Sequence, residues 1–386
     1  MSRTGESSWK LFNPTEIYFD LKFPEFLHQH FDNSPTLYIT SQGATRRGVT
    51  KVVENFFKAS EIPYFILEDA NPNPSFDDLK HFAQQLQVFK PEQIITLGGG
   101  SVMDLGKILS YALSSQSPGV EAMLDLLTQG KTLPLIEPIP MIAIPTTAGT
   151  GSEVTPFATL WDSRNKKKYS VSGKTLYPKK ALLCADLTLT LPWDVTLSTG
   201  LDAFSQSVES VWNKNYIPET GALAAKAMAL IMKNLPLLKS ESGNASARSN
   251  MMEASLLGGL CISVTRTAMA HSISYPLTAH FGTPHGVACS FTLPELWAYN
   301  LEADDGRMLK LCSELKVQPK LFGNEIFEFM KRLDFSFELK KTIKNIPAVL
   351  KLCPEMYTPG RSDNNLRDFK VEFLPKFVEQ SLNSWL

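Results

Sequence analysis

Residues 93–107 read QIITLGGGSVMDLGK and indicate the fold of this 386-residue chain. The run 93–97 is short, apolar and β-branched, which is typical of a buried strand, and the segment after the glycines is typical of a helix. Because glycine has no Cβ, such a turn lets a ligand approach the backbone, and the helix start offers free N–H groups. The stretch has neither the GxGxxG nor the GK[ST] signature, so by itself it predicts either an anion site or only a tight turn.

The same alternation of strand and helix extends through the first half of the chain. Strand-like runs occur at residues 36–40, 63–67, 93–97, 140–144 and 181–184. Amphipathic segments such as 48–60 and 76–89 lie between them. Strands separated by helices indicate βαβ units and a largely parallel sheet.

After residue 191 the pattern changes. Strand patterns nearly disappear, and helical patterns follow one another at residues 198–213, 219–234, 245–263, 268–277 and 286–300. The sequence therefore predicts an α/β domain over residues 1–188 and an all-α domain over residues 189–386.

Composition restricts the classes of function. The net charge is -1 and no long run carries one sign, so a role on nucleic acid or at a membrane surface has little support. Residues 1–14 lack the apolar stretch of a signal peptide, and no apolar run reaches the roughly eighteen residues of a spanning helix. The five cysteines form no CxxC pair, so we expect reduced, buried thiols in a cytoplasmic enzyme.

A second loop has the character of a ligand site. Residues 145–155 read PTTAGTGSEVT and follow the strand-like run 140–144. The loop combines hydroxyl side chains with glycines at the carboxyl end of a strand, the edge at which open α/β sheets bind ligands. Two such loops at equivalent strand ends predict one extended ligand across both, and a dinucleotide has that size.

The predicted helical half contains candidate metal ligands. Asp202, His271 and His285 are good ligands, and Gln206 stands where a second helical ligand is expected. Because residues four apart lie on one face of a helix, Asp202 and Gln206 are able to point at one ion.

Together these stretches resemble the iron-dependent (group III) alcohol dehydrogenase family. GGGSVMDLGK, PTTAGTGSEVT, TGLDAFSQSVES and AHSISYPLTAHFGTPHGV occur in the family's order, and the resemblance extends over nearly the whole chain. It implies a dinucleotide-binding α/β domain followed by an all-helical domain, with the active site in the cleft between them. It also implies a metal-dependent, NAD(P)-linked oxidoreductase, and dimers are common in the family, so a homodimer is an expectation.

The resemblance assigns cofactor contacts to both glycine loops and to three positions outside them. The predicted cofactor-binding residues are Ser41, Asn73, Gly98, Gly99, Gly100, Ser101, Asp104, Thr146, Thr147, Thr150, Thr155 and Lys168. Lys168, in the sequence KKKYS, is expected to reach a ribose.

The end of the first nucleotide-binding strand predicts the choice of cofactor. Members that prefer NADH usually carry an acidic residue where this chain has Ser41, and a carboxylate there repels a 2′-phosphate. Because serine does not repel it and Arg46 and Arg47 lie nearby, we expect NADPH, with NADH as the alternative. In the alternative interpretation, both arginines are solvent-exposed helix residues with no role in cofactor choice.

The resemblance further implies a divalent metal, Fe2+ or Zn2+, with an open position for a substrate oxygen. Its predicted ligands are Asp202, Gln206, His271 and His285. The family has a histidine at the position of Gln206, and glutamine is the weaker ligand. Two hypotheses follow: either the other three residues hold the metal, or the site has lost its metal and Gln206 hydrogen-bonds the substrate.

Within the family, four segments are most similar to the phosphonoacetaldehyde reductase branch of phosphonate biosynthesis. They are TPFATLWDSRNKKKYS, STGLDAFSQSVESVWN, TRTAMAHSISYPLTAHFG and PGRSDNN. A phosphonate needs cationic partners, so we expect Arg266 to bind it, unless an internal salt bridge occupies that arginine. Arg361 and Asn364 are further candidates for substrate binding. Tyr275 stands where many members have a histidine that handles protons, although a packing role is equally compatible.

Three alternative functions stay open at this stage. The first is an alcohol dehydrogenase that acts on another small substrate, including an uncharged one. The second is a lyase or cyclase similar to dehydroquinate synthase, which also uses a nicotinamide cofactor and a metal. The third is a non-catalytic module that only binds nucleotide, which the departure at Gln206 favours.

Overall fold

The computed structural model describes residues 8–31, 33–71, 73–165 and 167–386. Lys166 and residues 1–7, which entered the sequence analysis, lie outside the described residues. The described strands are β1 (Glu16–Phe19), β2 (Thr36–Thr40), β3 (Tyr64–Leu67), β4 (Gln93–Gly98), β5 (Met141–Pro145), β6 (Phe157–Asp162), β7 (Lys167–Ser172) and β8 (Lys180–Leu183). Six of them form one parallel sheet in the order β1-β8-β5-β4-β2-β3. Strands β6 and β7 form a separate antiparallel pair.

Helices cover both faces of the parallel sheet. Those of the first half are α1 (Phe23–His30), α2 (Gln42–Arg46), α3 (Thr50–Ala59), α4 (Phe76–Gln85), α5 (Gly100–Ala112) and α6 (Val120–Thr128). Leu37 and Ile39 of β2 belong to one apolar cluster, and Tyr38 between them belongs to another. Successive residues of a strand face opposite sides, so the sheet is buried on both. This burial explains why the central strands read as continuous apolar runs, and the predicted parallel sheet is confirmed.

The sequence analysis missed three strands, each for a physical reason. Strand β1 lies at the sheet edge, where its side chains are exposed or half-buried, so it lacks an apolar run. Strands β6 and β7 form a hairpin over one side of the cleft and alternate apolar with polar residues. Lys167 and Lys168, in the sequence KKKYS, belong to β7.

The second half is helical throughout its described elements. They are α7 (Trp193–Val211), α8 (Pro218–Ser240), α9 (Ala245–Thr265), α10 (Met269–Phe281), α11 (His285–Ser290), α12 (Leu293–Leu301), α13 (Arg307–Leu315), α14 (Phe322–Arg332), α15 (Phe335–Thr342), α16 (Ile346–Leu350) and α17 (Leu374–Trp385). The single helix predicted over 286–300 is in fact α11 and α12, because Pro294 stands in the first turn of α12. Helix α7 begins five residues before the predicted 198.

Helix α8 is the one described helix whose length and composition would suffice to cross a membrane. Half of its most apolar window is buried inside the protein, where α8 contributes Ala224, Met228 and Ile231 to the apolar cluster of the helical half. The same length and composition are typical of core helices in soluble proteins, so they are weak evidence for a membrane span.

The two halves join between Leu183, the last residue of β8, and Trp193, the first residue of α7. The predicted division at residue 188 falls in this connection and stays a prediction. Glycines bring the second glycine loop against the helical half. A Cβ on Gly149 would lie 2.6 Å from the carbonyl oxygen of Thr199, and one on Gly151 would lie 2.3 Å from Cα of Gly259. The carboxyl ends of β4 and β5 therefore face α7 and α9 across a narrow cleft.

Candidate active site

The two glycine loops contact each other at the sheet edge. Helix α5 begins at Gly100, directly after β4, and Gly98 pairs with Pro145 at the end of β5. A Cβ on Gly100 would lie 2.6 Å from Cγ2 of Thr150, and one on Gly99 would lie 3.3 Å from Oγ1 of Thr147. Any side chain at these glycines would therefore separate the loops or fill the space above them. The structure brings together the loops that the sequence predicted to hold one ligand.

Most of the predicted site residues line one cleft of about 250 Å³ between the two halves. Those in its lining are Asn73, Gly100, Ser101, Asp104, Thr150, Thr155, Lys168, Asp202, Gln206, Arg266, His271, Tyr275, His285 and Arg361. The other predicted cofactor residues, Ser41, Gly98, Gly99, Thr146 and Thr147, lie further along the sheet edge, at or just beyond the carboxyl ends of β2, β4 and β5.

Asn73 and Asp104 hold the wall of this cleft. Asn73 adopts a left-handed conformation with φ 60°, and its backbone N–H donates to Oγ of Ser101 at 3.1 Å. The carboxylate of Asp104 accepts bonds from Oγ of Ser152 and the N–H of Thr159, at 2.7 and 2.8 Å. Asp104 therefore fixes the second loop to the hairpin, and its direct contact with a cofactor stays a prediction.

Lys107 and Glu153 extend this buried network, although the sequence analysis gave them no role. The ammonium of Lys107 donates to Oγ of Ser152 and to the carbonyl of Phe157, at 2.8 and 2.7 Å. Burial lowers the pKa of Lys107 to about 8 and raises the pKa of Glu153 to about 7. The wall of the cleft therefore contains two buried ionisable groups whose charged forms are disfavoured by burial.

At the end of β2 the hydroxyl of Ser41 caps α2 by accepting the N–H of Ala44 at 3.3 Å. Arg46 is exposed, whereas Arg47 is half-buried and donates to Oγ1 of Thr146 in the second loop at 3.5 Å. The two arginines thus differ, because only Arg47 reaches the edge where both glycine loops end.

Asp202, His271 and His285 converge at the helical side of the cleft. Nε2 of His271 lies 3.2 Å from Oδ1 of Asp202, and Nε2 of His285 lies 3.9 Å from the same oxygen. Burial raises the pKa of Asp202, but the hydrogen bond with His271 and the nearby imidazoles outweigh it, so the net pKa lies below its ordinary value. Burial lowers the pKa of His285 to about 3, so its imidazole is neutral and offers a lone pair.

Glu209 stands behind His271, and the sequence analysis did not single it out. Its carboxylate accepts the backbone N–H groups of Ala268, Ala270 and His271 at the start of α10. It also contacts Nδ1 of His271 at 2.5 Å. A carboxylate on Nδ1 fixes the tautomer and the ring orientation of a ligating histidine, so that Nε2 is the atom available to a metal. Glu209 lies seven residues after Asp202 on α7, two helical turns along the same face, and this spacing was the signal that could have found it.

These residues fit a divalent metal. One carboxylate oxygen and two imidazole nitrogens face one another, and the described Lys and Arg side chains all lie more than 4 Å from the carboxylate of Asp202. Buried carboxylates require a positive partner. His271 lies between Asp202 and Glu209: burial lowers its pKa, but the two carboxylates outweigh burial and raise the pKa to about 10, so a protonated imidazole offsets their charge. A divalent ion would take over this role beside a neutral His271. The donors are those preferred by Fe2+ and Zn2+.

Gln206 and Cys289 adjoin this cluster from different sides. Nε2 of Gln206 donates to the carbonyl of Thr150 at 3.4 Å, and its buried Oε1 has no described partner. Sγ of Cys289 lies 4.0 Å from Oδ1 of Asp202 and within 4.8 Å of both imidazole donors. Cys289, expected only as a reduced, buried thiol, therefore lies among the candidate metal donors.

Three cations also line this cleft and form what we call its cationic side: Arg266, Arg361 and Lys168. Cζ of Arg266 lies 5.3 Å from the ring centroid of Phe157, and Cζ of Arg361 lies 6.0 Å from it. Lys168 places its ammonium 4.1 Å from the ring centroid of Tyr275. Among the described residues, no carboxylate lies within 4 Å of any of these three cations. The internal salt bridge considered for Arg266 is thus not observed in this part of the chain.

Tyr275 connects the cationic side with the metal cluster. Its ring stacks on His285 with centroids 6.3 Å apart and an interplanar angle of 15°. Burial raises the pKa of Tyr275, but the charges of Lys168 and Arg361 outweigh it, so the net pKa lies below its ordinary value. The environment therefore favours both packing on His285 and proton release, and the predicted role in proton transfer stays a prediction.

Asn364 differs from the other predicted substrate residues. Its side-chain amide donates to the carbonyls of Thr267 and Gly360, at 3.0 and 3.1 Å. These bonds tie the loop of Arg361 to the segment after Arg266. A direct contact of Asn364 with substrate stays a prediction, while its observed bonds position the two arginines.

Comparisons with known proteins agree with this architecture. The family description "Iron-containing alcohol dehydrogenase" matches residues 14–184, and "Fe-containing alcohol dehydrogenase family, C-terminal" matches residues 196–346. A sulfoacetaldehyde reductase of Bilophila wadsworthia is 34% identical over 276 residues, covering 72% of this chain and 70% of that protein. A phosphonoacetaldehyde reductase of Streptomyces viridochromogenes is 32% identical over 239 residues, covering 62% of this chain and 60% of that protein.

A crystal structure of sulfoacetaldehyde reductase from Bifidobacterium kashiwanohense in complex with NAD+ shares the fold. It superposes with a TM-score of 0.86 at 27% identity, over 97% of this chain and 99% of that one.

Proposed function

The chain belongs to the iron-containing alcohol dehydrogenase family, and from this membership we propose that it reduces a short aldehyde with an anionic end group. It is an NAD(P)-linked alcohol dehydrogenase or aldehyde reductase by family. When bound, the reduced nicotinamide supplies the hydride and a divalent metal polarises the carbonyl. The residues of this chain then decide which aldehyde is held and how it is oriented.

The observation that carries the proposal is the pair Arg266 and Arg361, which lie over one ring without a carboxylate partner. Burial lowers the pKa of the Arg266 guanidinium, and the charge of Arg361 lowers it further. Two unpaired cations this close repel each other, so an anion between them would be stabilised. Guanidinium groups bind tetrahedral oxyanions through paired hydrogen bonds, which suits a phosphonate or a sulfonate.

The backbone at Arg266 supports a role in binding. Arg266 follows the last turn of α9 with φ 62° and ψ 180°, a conformation that only glycine adopts readily. Such a conformation costs on the order of 1–3 kcal/mol and persists where surrounding contacts impose it. Asn213 donates to the carbonyl of Arg266 at 3.2 Å, and Thr265 donates to it at 2.9 Å. Two side chains thus hold the carbonyl of this strained residue, which lines the cleft.

The cleft arranges the two ends of such a substrate. Tyr275 contacts both Lys168 of the cationic side and His285 of the metal cluster, and all these residues line one cleft. A two-carbon aldehyde carries its carbonyl oxygen and its anionic group at opposite ends, which suits a cleft that offers a metal cluster to one end and arginines to the other. We therefore infer phosphonoacetaldehyde as the substrate, with 2-hydroxyethylphosphonate as the product.

A second candidate substrate is sulfoacetaldehyde. It has the same length and a tetrahedral anionic group, and the 34% identical relative from Bilophila wadsworthia bears its name. The two differ in charge, because a phosphonate carries a second ionisable proton and a sulfonate does not. Two arginines match the dianion better, and this match is the reason for preferring the phosphonate.

For the cofactor we infer NADPH over NADH. Ser41 places no carboxylate at the end of β2, and Arg47 is available at the same edge. A 2′-phosphate would receive charge-assisted hydrogen bonds from Arg47.

The test is a kinetic comparison of phosphonoacetaldehyde, sulfoacetaldehyde and 3,3-dimethylbutanal, which has an uncharged group of similar shape. For Arg266→Ala we expect the KM for the preferred anionic aldehyde to rise roughly tenfold to hundredfold, as for a lost charge-assisted hydrogen bond. The KM for 3,3-dimethylbutanal should stay within about twofold, because that substrate makes no such bond.

Arg164→Ala is the matched control, since Arg164 is an exposed arginine in the turn between β6 and β7. It should leave all three KM values unchanged. Equal losses of Arg266→Ala on charged and uncharged aldehydes would overturn the proposed selectivity. A higher kcat/KM for sulfoacetaldehyde in the wild type would replace the phosphonate by the sulfonate.

A further inference from the structure

Gln206 makes no described hydrogen bond to the three clear metal ligands. Its Nε2 donates to the carbonyl of Thr150, and a Cβ on Gly258 would lie 3.7 Å from its Oε1. The amide nitrogen is thus bound to the second glycine loop, and Oε1 has no hydrogen-bond partner among the described residues. A donor other than Gln206 can therefore complete the cluster of Asp202, His271 and His285.

Cys289 lies where such a group is needed. It follows His285 by four residues on α11, so the two side chains emerge from the same face of that helix. Cys289 is fully buried, and its Sγ contacts Oδ1 of Asp202 at 4.0 Å. The donor atoms of Asp202, His271, His285 and Cys289 all lie within 4.8 Å of one another.

The separations are compatible with four ligands around one ion. With metal–sulfur bonds of about 2.3 Å and metal–nitrogen bonds of about 2.0 Å, tetrahedral donors lie roughly 3.3–3.6 Å apart. Asp202 and His271 already meet this separation at 3.2 Å, and Cys289 would approach by a few tenths of an ångström. Such a movement is within the reach of a side-chain rotation.

The chemistry of the donors also favours sulfur. A thiolate is a stronger ligand than an amide oxygen for Fe2+, Zn2+ or Co2+. A set of two imidazoles, one carboxylate and one thiolate is within the range of protein zinc sites, which expand to five-coordinate when a substrate oxygen enters.

We propose that Cys289 is a metal ligand in this protein and takes the coordination place that Gln206 does not fill. The inference rests on the metal dependence of the proposed function but not on the identity of the aldehyde. With Cys289 as a ligand, the site keeps four protein donors for a metal although Gln206 stands where the family has a histidine.

The test is cobalt substitution of the full chain. Protein stripped by a chelator and reloaded with Co2+ should bind one ion and show the near-ultraviolet charge-transfer band of a cobalt–thiolate bond. The band should disappear in Cys289→Ser, and the dissociation constant for Co2+ should rise at least about tenfold, as removal of even an outer-shell partner weakens metal binding by that factor.

Cys261→Ser is the matched control, because Cys261 is equally buried but donates to the carbonyl of Thr220 instead. It should keep both the band and the affinity. Adding Gln206→His to Cys289→Ser should restore affinity without restoring the band, since imidazole gives no such transition.

A cobalt-loaded wild type without the band, or a band that survives Cys289→Ser, would overturn the ligand assignment. The wild-type spectrum decides this even if a variant fails to fold. Absence of any Co2+ binding would overturn both this assignment and the metal dependence. The aldehyde comparison with Arg266→Ala would still test anion selectivity, so the two failures are distinguishable.

Discussion

The two sides of the cleft achieve binding by opposite means. At the sheet edge, backbone groups and glycines form the surface, and Gly100 leaves no room for a Cβ beside Thr150. On the helical side, side chains form the site, and His271 lies between the carboxylates of Asp202 and Glu209. The first side is therefore sensitive to added atoms, whereas the second is sensitive to changed donors.

The largest effect on stability is expected at Gly286, where close backbone packing and a predicted metal ligand are adjacent in the chain. Gly286 follows His285 on α11, and a Cβ there would lie 1.7 Å from the carbonyl oxygen of Ser198 on α7. Because backbone atoms of two packed helices cannot yield, Gly286→Ala should lower the free energy of unfolding by about 3 kcal/mol or more. It should also displace His285 and reduce metal content, measured by denaturant titration and metal analysis.

Gly243→Ala is the control for this prediction. A Cβ at Gly243 would meet nothing within 4 Å, so this substitution should leave stability nearly unchanged. Equal stability of both variants would mean that α11 is free to move, and the helical side would then be less constrained than the sheet edge.

The second effect concerns Glu153 in the buried wall of the sheet edge. Burial raises its pKa from 4.5 to about 7, so between these values the folded state keeps a proton that the unfolded state has lost. The contribution of the neutral carboxyl to stability is therefore full below pH 4.5 and is lost as the pH rises to 7. At about 1.4 kcal/mol per pH unit, Glu153→Gln should stabilise the protein by up to about 3 kcal/mol at pH 8 and hardly at pH 4.

Denaturant titrations at both pH values measure this difference. Glu372→Gln, a change at an exposed carboxyl, should show no such pH dependence. If Glu153→Gln were as destabilising at pH 8 as at pH 4, the charge of Glu153 would be needed in the fold, and the sheet edge would depend on a side chain after all.

The third effect tests how strongly the helical side depends on orientation. Glu209→Gln keeps the shape of the side chain but replaces one carboxylate oxygen by an amide NH2 group. This NH2 group cannot accept the hydrogen bonds that Glu209 now receives from the N–H of Ala270 and from Nδ1 of His271. Loss of such a partner behind a ligating histidine weakens metal binding by about 10–100-fold. The dissociation constant, measured by chelator competition, should rise accordingly.

Ser210→Ala, at the next residue of α7, is the control for a merely structural loss, because the Ser210 hydroxyl bonds Thr265 and the backbone carbonyl of Gln206 and contacts no ligating side-chain atom. Glu209→Asp, which keeps the charge, should recover part of the affinity. An unchanged metal affinity in Glu209→Gln would show that packing alone orients His271.

The same contrast explains what the sequence could predict. Strand runs and glycine loops are local patterns, so β2, β4, β5 and both loops are found within a residue or two of their predicted places. Strand β1 and the hairpin of β6 and β7 have only partly buried faces, and their apolar signal is accordingly weak.

Site residues were predictable from the sequence where they lie in a recognisable motif. Asp202, His271 and His285 belong to segments that resemble known ones, and the structure brings them together. The seven-residue spacing from Asp202 places Glu209 on one face of α7, but its contact with His271, 62 residues away, depends on tertiary packing. The contact of Cys289 with Asp202, 87 residues away, depends on it in the same way. The positive φ of Arg266 is likewise imposed by packing, because no turn signal accompanies it in the sequence.

The smallest expected effect concerns Arg47, and it tests whether a side chain at the sheet edge contributes to cofactor selection. Arg47→Ala should raise the KM for NADPH roughly tenfold, as expected for one charge-assisted bond to the 2′-phosphate, and leave that for NADH within about twofold. Arg46→Ala is the control, since Arg46 is exposed and makes no described hydrogen bond from its side chain. Steady-state kinetics with both cofactors measure the ratio. Equal changes for NADPH and NADH would mean that Arg47 only supports Thr146, and the sheet edge would then select its cofactor through backbone and hydroxyl groups alone.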